Sequence, residues 1–367
     1  MNPAHALNLH ELRDAALRRL PRVAFGYLEG GAEDHLTYNA NRQALDRIRF
    51  VPRTLVDVSR RSQDVTVFGR HWASPFGIAP TGAAGIYCRG AEIALARGAR
   101  DANVPFVLST HSFVPLATVC REAGAAPWFQ MYIQPRRTDT ETLVCEARDA
   151  GCEVLVLTVD AATGGNREYN YRNGFSIPVR ITRRTVLDGL RHPRWLFDVY
   201  CRTLRGRRLI EWTVPHDRGT WSDLGWLRRV WPRKLVVKGV LTVEDARLAE
   251  AYGADGVWVS NHGGRQLDGA PASIEALPPI ADAVGRRLTI MVDSGFRRGT
   301  DVVKALALGA DMVFFGRGAL YGAAAAGEAG VRRALDLLRI EVDRTLALLG
   351  CNAVAELTRG HVRVSSA

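Results

Sequence analysis

Eight short apolar runs recur along the chain: Phe76 to Ala79, Phe106 to Leu108, Trp128 to Tyr132, Val154 to Thr158, Leu235 to Val237, Gly256 to Val259, Thr289 to Val292 and Met312 to Phe315. They are rich in β-branched and aromatic residues and stop abruptly at Gly, Ser, Thr, Asp or Asn, the pattern of strands buried on both faces. Between most of them lie stretches with helical spacing, such as Ala91 to Ala102, Asp139 to Ala150, Val243 to Tyr252 and Gly299 to Leu308. Strands alternating with helices predict a parallel sheet, and eight strands close a barrel. The expected fold class is therefore α/β, a (β/α)8 TIM barrel that uses residues 1–367 as a single domain. Two additions are expected: a helical extension over about residues 1–50, where Leu9, Leu12, Ala16 and Leu20 recur at helical spacing, and a long excursion after the fourth strand, about residues 178–232. Val65 to Phe68 followed by Gly69-Arg70 reads as a hairpin before the first barrel strand.

A barrel carries its active site at the C-terminal ends of its strands. Here those ends read Pro80-Thr81-Gly82, Ser109-Thr110, Gln130 and Tyr132, Thr158 and Asp160, Lys238-Gly239, Ser260-Asn261-His262, Asp293-Ser294-Gly295 and Gly316-Arg317. Any one of these could be an ordinary cap or turn, but together they crowd one mouth with polar chemistry. The sixth strand leads into Ser260 to Asp268, where His262 can take a proton near neutral pH and Arg265 can grip a carboxylate with two parallel bonds. After strands seven and eight, Gly295, Arg297, Gly316 and Arg317 stand where barrels commonly hold a phosphate. A phosphorylated cofactor fits that end better than a phosphorylated substrate, because the other strand ends supply an extended polar wall for a ring system.

Charge and cysteine usage narrow the setting. Lys and Arg exceed Asp and Glu by 49 to 38, a formal charge of +11 that favours anionic partners. Much of the excess lies in the excursion, where Arg180, Arg183, Arg184, Arg191, Arg194, Arg202, Arg205, Arg207, Arg208, Arg218, Arg228, Arg229 and Arg233 interleave with Trp195, Leu196, Phe197, Val199, Tyr200 and Trp212. This reads either as a solvated basic face or as a membrane-surface patch. The six cysteines show no Cys-x-x-Cys spacing, and neither a signal peptide nor a membrane span is apparent, so a cytosolic protein with reduced thiols is expected. The residues alone leave open a phosphate-binding barrel that works as an isomerase or lyase without flavin. A non-enzymatic binder of nucleic acid or acidic membrane is the outside reading.

In order along the chain, Tyr27-Leu28-Glu29-Gly30-Gly31-Ala32-Glu33-Asp34, Asp57 to Ser62, Pro80-Thr81-Gly82, Trp128 to Tyr132, His192 to Trp195, Val237-Lys238-Gly239, Ser260 to Asp268 and Asp293 to Gly299 resemble the FMN-dependent 2-hydroxy-acid oxidase and dehydrogenase family. The resemblance runs from Pro21 to about Gly350 and is strongest to the (S)-mandelate dehydrogenase branch. It implies FMN and an aromatic or bulky (S)-2-hydroxy acid oxidised to the 2-oxo acid. Arg265, Arg167 and Tyr27 would hold the carboxylate, Tyr132 the substrate oxygen, and His262 would be the general base oriented by Asp160. Lys238 would stand by the flavin N1/O2 edge, with Ser109, Gln130 and Thr158 bonded to the ring and Pro80 and Thr81 facing N5. Asp293 would hold the ribityl chain, and Gly295, Arg297, Gly316 and Arg317 the phosphate. Gly82, where many oxidases have alanine, resembles the dehydrogenases, whose electrons pass to a quinone or another carrier. An oxygen-using oxidase and a family member acting on a peptide or carrier-bound substrate are the alternatives. The family also implies a tetramer, no nucleic acid partner and no metal. Departures fall at His111 and Phe113, at Ile86-Tyr87-Cys88, and in an excursion shorter than the membrane-associating segment of the mandelate branch, which leaves only weak attachment at the inner face of a membrane as an expectation.

Overall fold

The computed structural model describes residues 5–175, 182–204 and 217–365. The eight apolar runs form one parallel sheet: β1 Phe76–Ile78, β2 Val107–Ser109, β3 Trp128–Met131, β4 Val154–Thr158, β5 Lys234–Val240, β6 Gly256–Val259, β7 Thr289–Val292 and β8 Met312–Phe315. Around the sheet β1 pairs with β8, and each later strand with its chain neighbour down to β2. A parallel bridge between Ile78 and Phe106 joins the remaining edges, so the barrel is closed as expected.

Three strands shift by one residue at one or both ends, and β5 departs furthest from its expected bounds. β5 continues past Val237 to Val240, and its register against β6 slips between Lys238 and Val240. The slip centres on Gly239, whose φ of 108° suits only glycine, and a Cβ there would lie 2.6 Å from Cβ of Asp160. The irregularity lets the Asp160 backbone come close to β5 just above Lys238.

The barrel interior is filled by alternating inward side chains, including Trp128, Trp258, Met291, Met312 and Phe314. Trp258 and Phe314 have ring centroids 4.1 Å apart and both are fully buried. The expected hairpin, Val65–Val67 against Arg70–Trp72, packs Phe68 and Trp72 onto Trp128 at the start of β3. It therefore covers the N-terminal end of the barrel, and the mouth lies at the other end.

The N-terminal extension forms three helices, α1 Leu9–Arg19, α2 Arg22–Glu29 and α3 Leu36–Arg47. The side chain of Asn8 caps α1 by accepting from the Glu11 N–H at 3.0 Å. The cap of α3 comes from far away in sequence, since the Asp268 carboxylate accepts from the Leu36 and Thr37 N–H groups at 3.1 and 2.8 Å. The final helix, α4 Arg317–Leu349, bends at Ala326 and Gly327 and packs along α1. In the excursion, Arg180, Arg205, Arg207, Arg208 and Trp212 lie outside the described residues. Trp195 is buried and donates its indole N–H to the Ile86 carbonyl at 2.7 Å, fixing the excursion to the loop after β1.

Candidate active site

The strand ends form a belt of hydrogen bonds around the mouth. The Ser109 hydroxyl donates to Gln130 Oε1 at 2.9 Å, and Gln130 Nε2 donates to Thr158 Oγ1 at 3.0 Å, linking β2, β3 and β4. On the opposite side the buried Lys238 ammonium donates to Ser260 Oγ at 2.8 Å and lies 3.3 Å from the Asp293 carboxylate. A buried cation needs such partners in place of water. Asp293 also accepts from the Ser294 hydroxyl at 2.9 Å, which in turn accepts from the Gly263 N–H at 3.0 Å. The belt surrounds a cavity of about 510 Å3.

His262 stands above this belt. Its Nδ1 lies 3.0 Å from Asp160 Oδ1, and its backbone adopts φ 58°, a left-handed conformation unusual for a residue with a side chain. The turn is held from below. The Asn41 and Asn261 side-chain amides bond each other reciprocally at 3.0 and 2.8 Å, both buried, and Asn261 Oδ1 also accepts from the Gly264 N–H. Burial pulls the imidazole below its usual range and the Lys238 and Arg167 charges add to this, while Asp160 opposes it. Burial works against the Asp160 charge, yet His262 and Lys238 hold its carboxyl below the ordinary value. The result is a neutral imidazole at neutral pH beside an ionised carboxylate, the arrangement of a general base with an orienting partner.

Arg265 and Arg167 line the same cavity. Arg265 Nη1 donates to the carbonyls of Tyr27 and Gly30 at 2.9 and 2.8 Å, and its guanidinium lies 5.0 Å from the Tyr27 ring centroid. Arg167 donates through Nε to the Arg265 carbonyl at 3.1 Å and through Nη2 to Gln266 Oε1 at 3.0 Å. Burial and the neighbouring Arg167 charge lower the Arg265 guanidinium, so an anion placed between the two would relieve a mutual repulsion. Burial, then the Asp160 charge, raise the Tyr132 phenol and keep it a hydrogen-bond donor.

Arg297 and Arg317 line the same cavity, with Arg317 beside Arg265. Arg317 donates to the carbonyls of Leu28, Gly263 and Gly30 at 3.1, 3.0 and 2.9 Å. Burial and the Arg265 and Arg297 charges bring it down to about 10, still charged at neutral pH. For Arg297 burial is outweighed by Tyr321, Tyr38 and Glu29, which hold it above its usual range. Gly316 lies against Thr81, to whose Cγ2 a Cβ would approach within 3.1 Å.

A model of the FMN-dependent dehydrogenase family matches residues 16–364. The chain belongs to that family. It is 41% identical over 370 residues to the (S)-mandelate dehydrogenase of Pseudomonas putida, covering 97% of this chain and 93% of that protein. It is 43% identical over 373 residues to a putative L-lactate dehydrogenase of Mycobacterium tuberculosis, covering 97% and 89%. Among solved structures, that of the monotopic membrane protein (S)-mandelate dehydrogenase superposes with a TM-score of 0.93 at 41% identity, covering 98% of this chain and all of that one. Mandelate and lactate are both 2-hydroxy acids, so these relatives belong to the branch of FMN-dependent 2-hydroxy-acid dehydrogenases. As a member of the FMN-dependent dehydrogenase family, the protein is an oxidoreductase with FMN as its cofactor.

The donor set suits this cofactor: a polar ladder at Ser109, Gln130 and Thr158 for a ring edge, a buried ammonium at Lys238, and the guanidinium groups of buried Arg297 and half-buried Arg317 for a phosphate. All the expected site residues line the cavity except Asp160, which sits behind His262. Several residues that line or brace it carry no expected role. Gln266 is a hub that accepts from Arg167 and from the Gly165 N–H and donates to the carbonyls of Asp160 and Thr163. Its place between Arg265 and Asp268 in an already conspicuous loop was the available signal. Tyr87 and Phe175 flank Tyr27 in near-parallel stacks, with centroids 6.4 and 4.2 Å from it. His111 stacks on Tyr132 at 5.2 Å.

Proposed function

We propose that this protein oxidises an (S)-2-hydroxy acid with an aromatic or bulky side chain to the 2-oxo acid. The observation that carries the reading is the His262 to Asp160 pair at 3.0 Å in the same cavity as Arg265, Arg167, Tyr27 and Tyr132. Arg265 and Arg167 bind the substrate carboxylate, with the Tyr27 hydroxyl as a further donor. Tyr132 donates to the 2-hydroxyl oxygen. His262 keeps its own proton on Nδ1 against Asp160, so Nε2 accepts the proton the substrate loses, and Asp160 then stabilises the imidazolium. Bound FMN supplies the two-electron acceptor, through its N5. The buried Lys238 ammonium, paired with Asp293, would be placed to stabilise negative charge on bound FMN.

The aromatic preference is supported by the Tyr87, Tyr27 and Phe175 stack and by the His111 and Tyr132 pair, which give the cavity wide flat walls. For the electron acceptor we favour a quinone or another carrier over oxygen, because Gly82 stands where many oxidases have alanine. Space is tight there, since a Cβ at Gly82 would lie 3.0 Å from the His111 Cβ. One experiment addresses both points: anaerobic bleaching of the flavin by a panel of 2-hydroxy acids, followed by admission of air. Mandelate and other aryl 2-hydroxy acids are expected to bleach it faster than lactate, with slow recolouring in air. Bleaching by lactate alone would reject the aromatic preference, rapid recolouring the dehydrogenase reading, and no bleaching at all the reaction.

The described part of the excursion supports contact with an anionic membrane surface. Val186, Leu187, Leu190 and Phe197 are exposed, and Arg183, Arg191, Arg194 and Arg202 are exposed among them. Among the described residues no helix is long and apolar enough to cross a membrane. The protein is expected to sediment with anionic liposomes at low salt and to be released as salt rises. Retention in the supernatant at low salt removes this part of the reading.

A further inference from the structure

Beside Arg297 and Arg317 lies a half-buried acid that the reaction does not use. Glu29, the last residue of α2, has a side chain only 14% exposed. Its Oε2 accepts from the Tyr321 hydroxyl at 2.6 Å, and its Oε1 accepts from the Tyr38 hydroxyl at 3.0 Å and from Arg13 Nε at 2.9 Å. One carboxylate thus gathers donors from α1, α3 and α4. The two phenols it holds are the rings against the two cavity arginines. Arg297 lies 5.6 Å from the Tyr321 ring centroid and Arg317 lies 4.8 Å from that of Tyr38.

We propose that Glu29 is a positioning residue for the cofactor's phosphate: by fixing Tyr38 and Tyr321 it sets the places of Arg297 and Arg317. The proposal rests on the reading that these two arginines receive the phosphate. A phenol that donates its proton to a carboxylate has an electron-rich face, which strengthens its attraction for a guanidinium. Each ring therefore offers its arginine one favoured position, and the carboxylate offers each ring one. Charge fits the same arrangement. Three guanidinium groups (Arg13, Arg297 and Arg317) against one carboxylate leave a net charge of +2, which matches a phosphate monoester of about −1.5 to −2 at neutral pH. Ionisation of Glu29 is secure: burial opposes it, but the Tyr321 bond and the Arg297, Arg13 and Arg317 charges bring the group down to about 2. Through Arg13 the brace also reaches α1, so the N-terminal extension forms part of the cofactor site.

The test compares FMN with riboflavin, which has the same ring and ribityl chain but no phosphate. Holoenzyme is diluted to low concentration and flavin release is read by fluorescence recovery, with riboflavin exchanged in for the second series. Wild type is expected to hold FMN far more tightly than riboflavin. Glu29→Gln should weaken FMN at least tenfold and leave riboflavin within about twofold. Glu29→Asp keeps the charge but is one methylene too short for both phenols, and should fail like Gln. The milder Tyr38→Phe and Tyr321→Phe variants should each weaken FMN severalfold by the same route. Equal losses for both flavins would make Glu29 a general structural residue and overturn the proposal. Unchanged FMN binding in Glu29→Gln would overturn it by showing that the carboxylate sets nothing, and tighter binding there or full rescue by Asp would overturn it because charge and not position would then be at work. Equal affinity of wild type for the two flavins would instead remove the phosphate reading on which it rests.

Discussion

Replacing His262 with asparagine is expected to lower the rate of flavin reduction by about 10³- to 10⁴-fold, the upper part of the range a positioned general base contributes. That corresponds to about 4 to 5.5 kcal/mol of transition-state stabilisation. Asparagine is the informative substitute because residue 262 has φ 58°, and asparagine tolerates the left-handed region better than most residues. The backbone contacts of the loop do not depend on the imidazole: the residue 262 N–H donates to Ser260 Oγ, and Asn261 is clasped by Asn41. The side-chain bond given up is the one to Asp160. His262→Asn is therefore expected to keep FMN bound and its visible spectrum intact while single-turnover reduction by a 2-hydroxy acid nearly stops. A rate within tenfold of wild type would show that another group takes the proton.

The division between what the sequence made legible and what it did not follows the range of the interactions. Barrel strands could be read because each is a local run of apolar residues ended by a polar one, and the mouth could be read because every strand delivers its terminal residues to the same place. His262, Arg265, Lys238 and Asp293 were visible for that reason, before any resemblance gave them roles. The clasp between Asn41 and Asn261 was not, since its reciprocal bonds join residues 220 apart in sequence. Glu29 stood within a quoted motif, yet its meaning depends on Tyr321, which is 292 residues away. The bulge at Gly239 was hidden for a different reason. A glycine after a strand reads as an ordinary turn, whereas here β5 continues past it because Asp160 needs the space.

Contacts of this long-range kind also bind the N-terminal extension to the chemistry. α2 ends with its free carbonyls directed at the mouth, and Tyr27, Leu28 and Gly30 accept from Arg265 and Arg317. The negative end of a helix thus holds both Arg265 and Arg317, and the Gly30 carbonyl serves both. α3 is capped by Asp268 of the catalytic loop and carries Asn41, which clasps Asn261. The extension is a structural wall of the site.

Asp160→Asn is the second large effect, and it separates two functions of that carboxylate. The first is to hold the proton on Nδ1 and to stabilise the imidazolium once Nε2 has accepted the substrate's proton. An asparagine can donate to Nδ1 and so reverse the tautomer, and flavin reduction is expected to fall by as much as about 10⁴-fold. The second is to oppose the groups that depress the imidazole's proton affinity. Burial, Lys238 and Arg167 all lower it, and Asp160 works in the other direction. Protonated His262 is inactive, so the rate falls on the acid side as pH drops through the His262 pKa, already below its usual value. Removing the carboxylate lowers that pKa further. The acid limb of the kcat/KM profile should therefore move to lower pH in Asp160→Asn, even as the plateau drops. A limb that stays in place or moves to higher pH would mean that the charge on Asp160 does not act on His262, and that its contribution is to orientation alone.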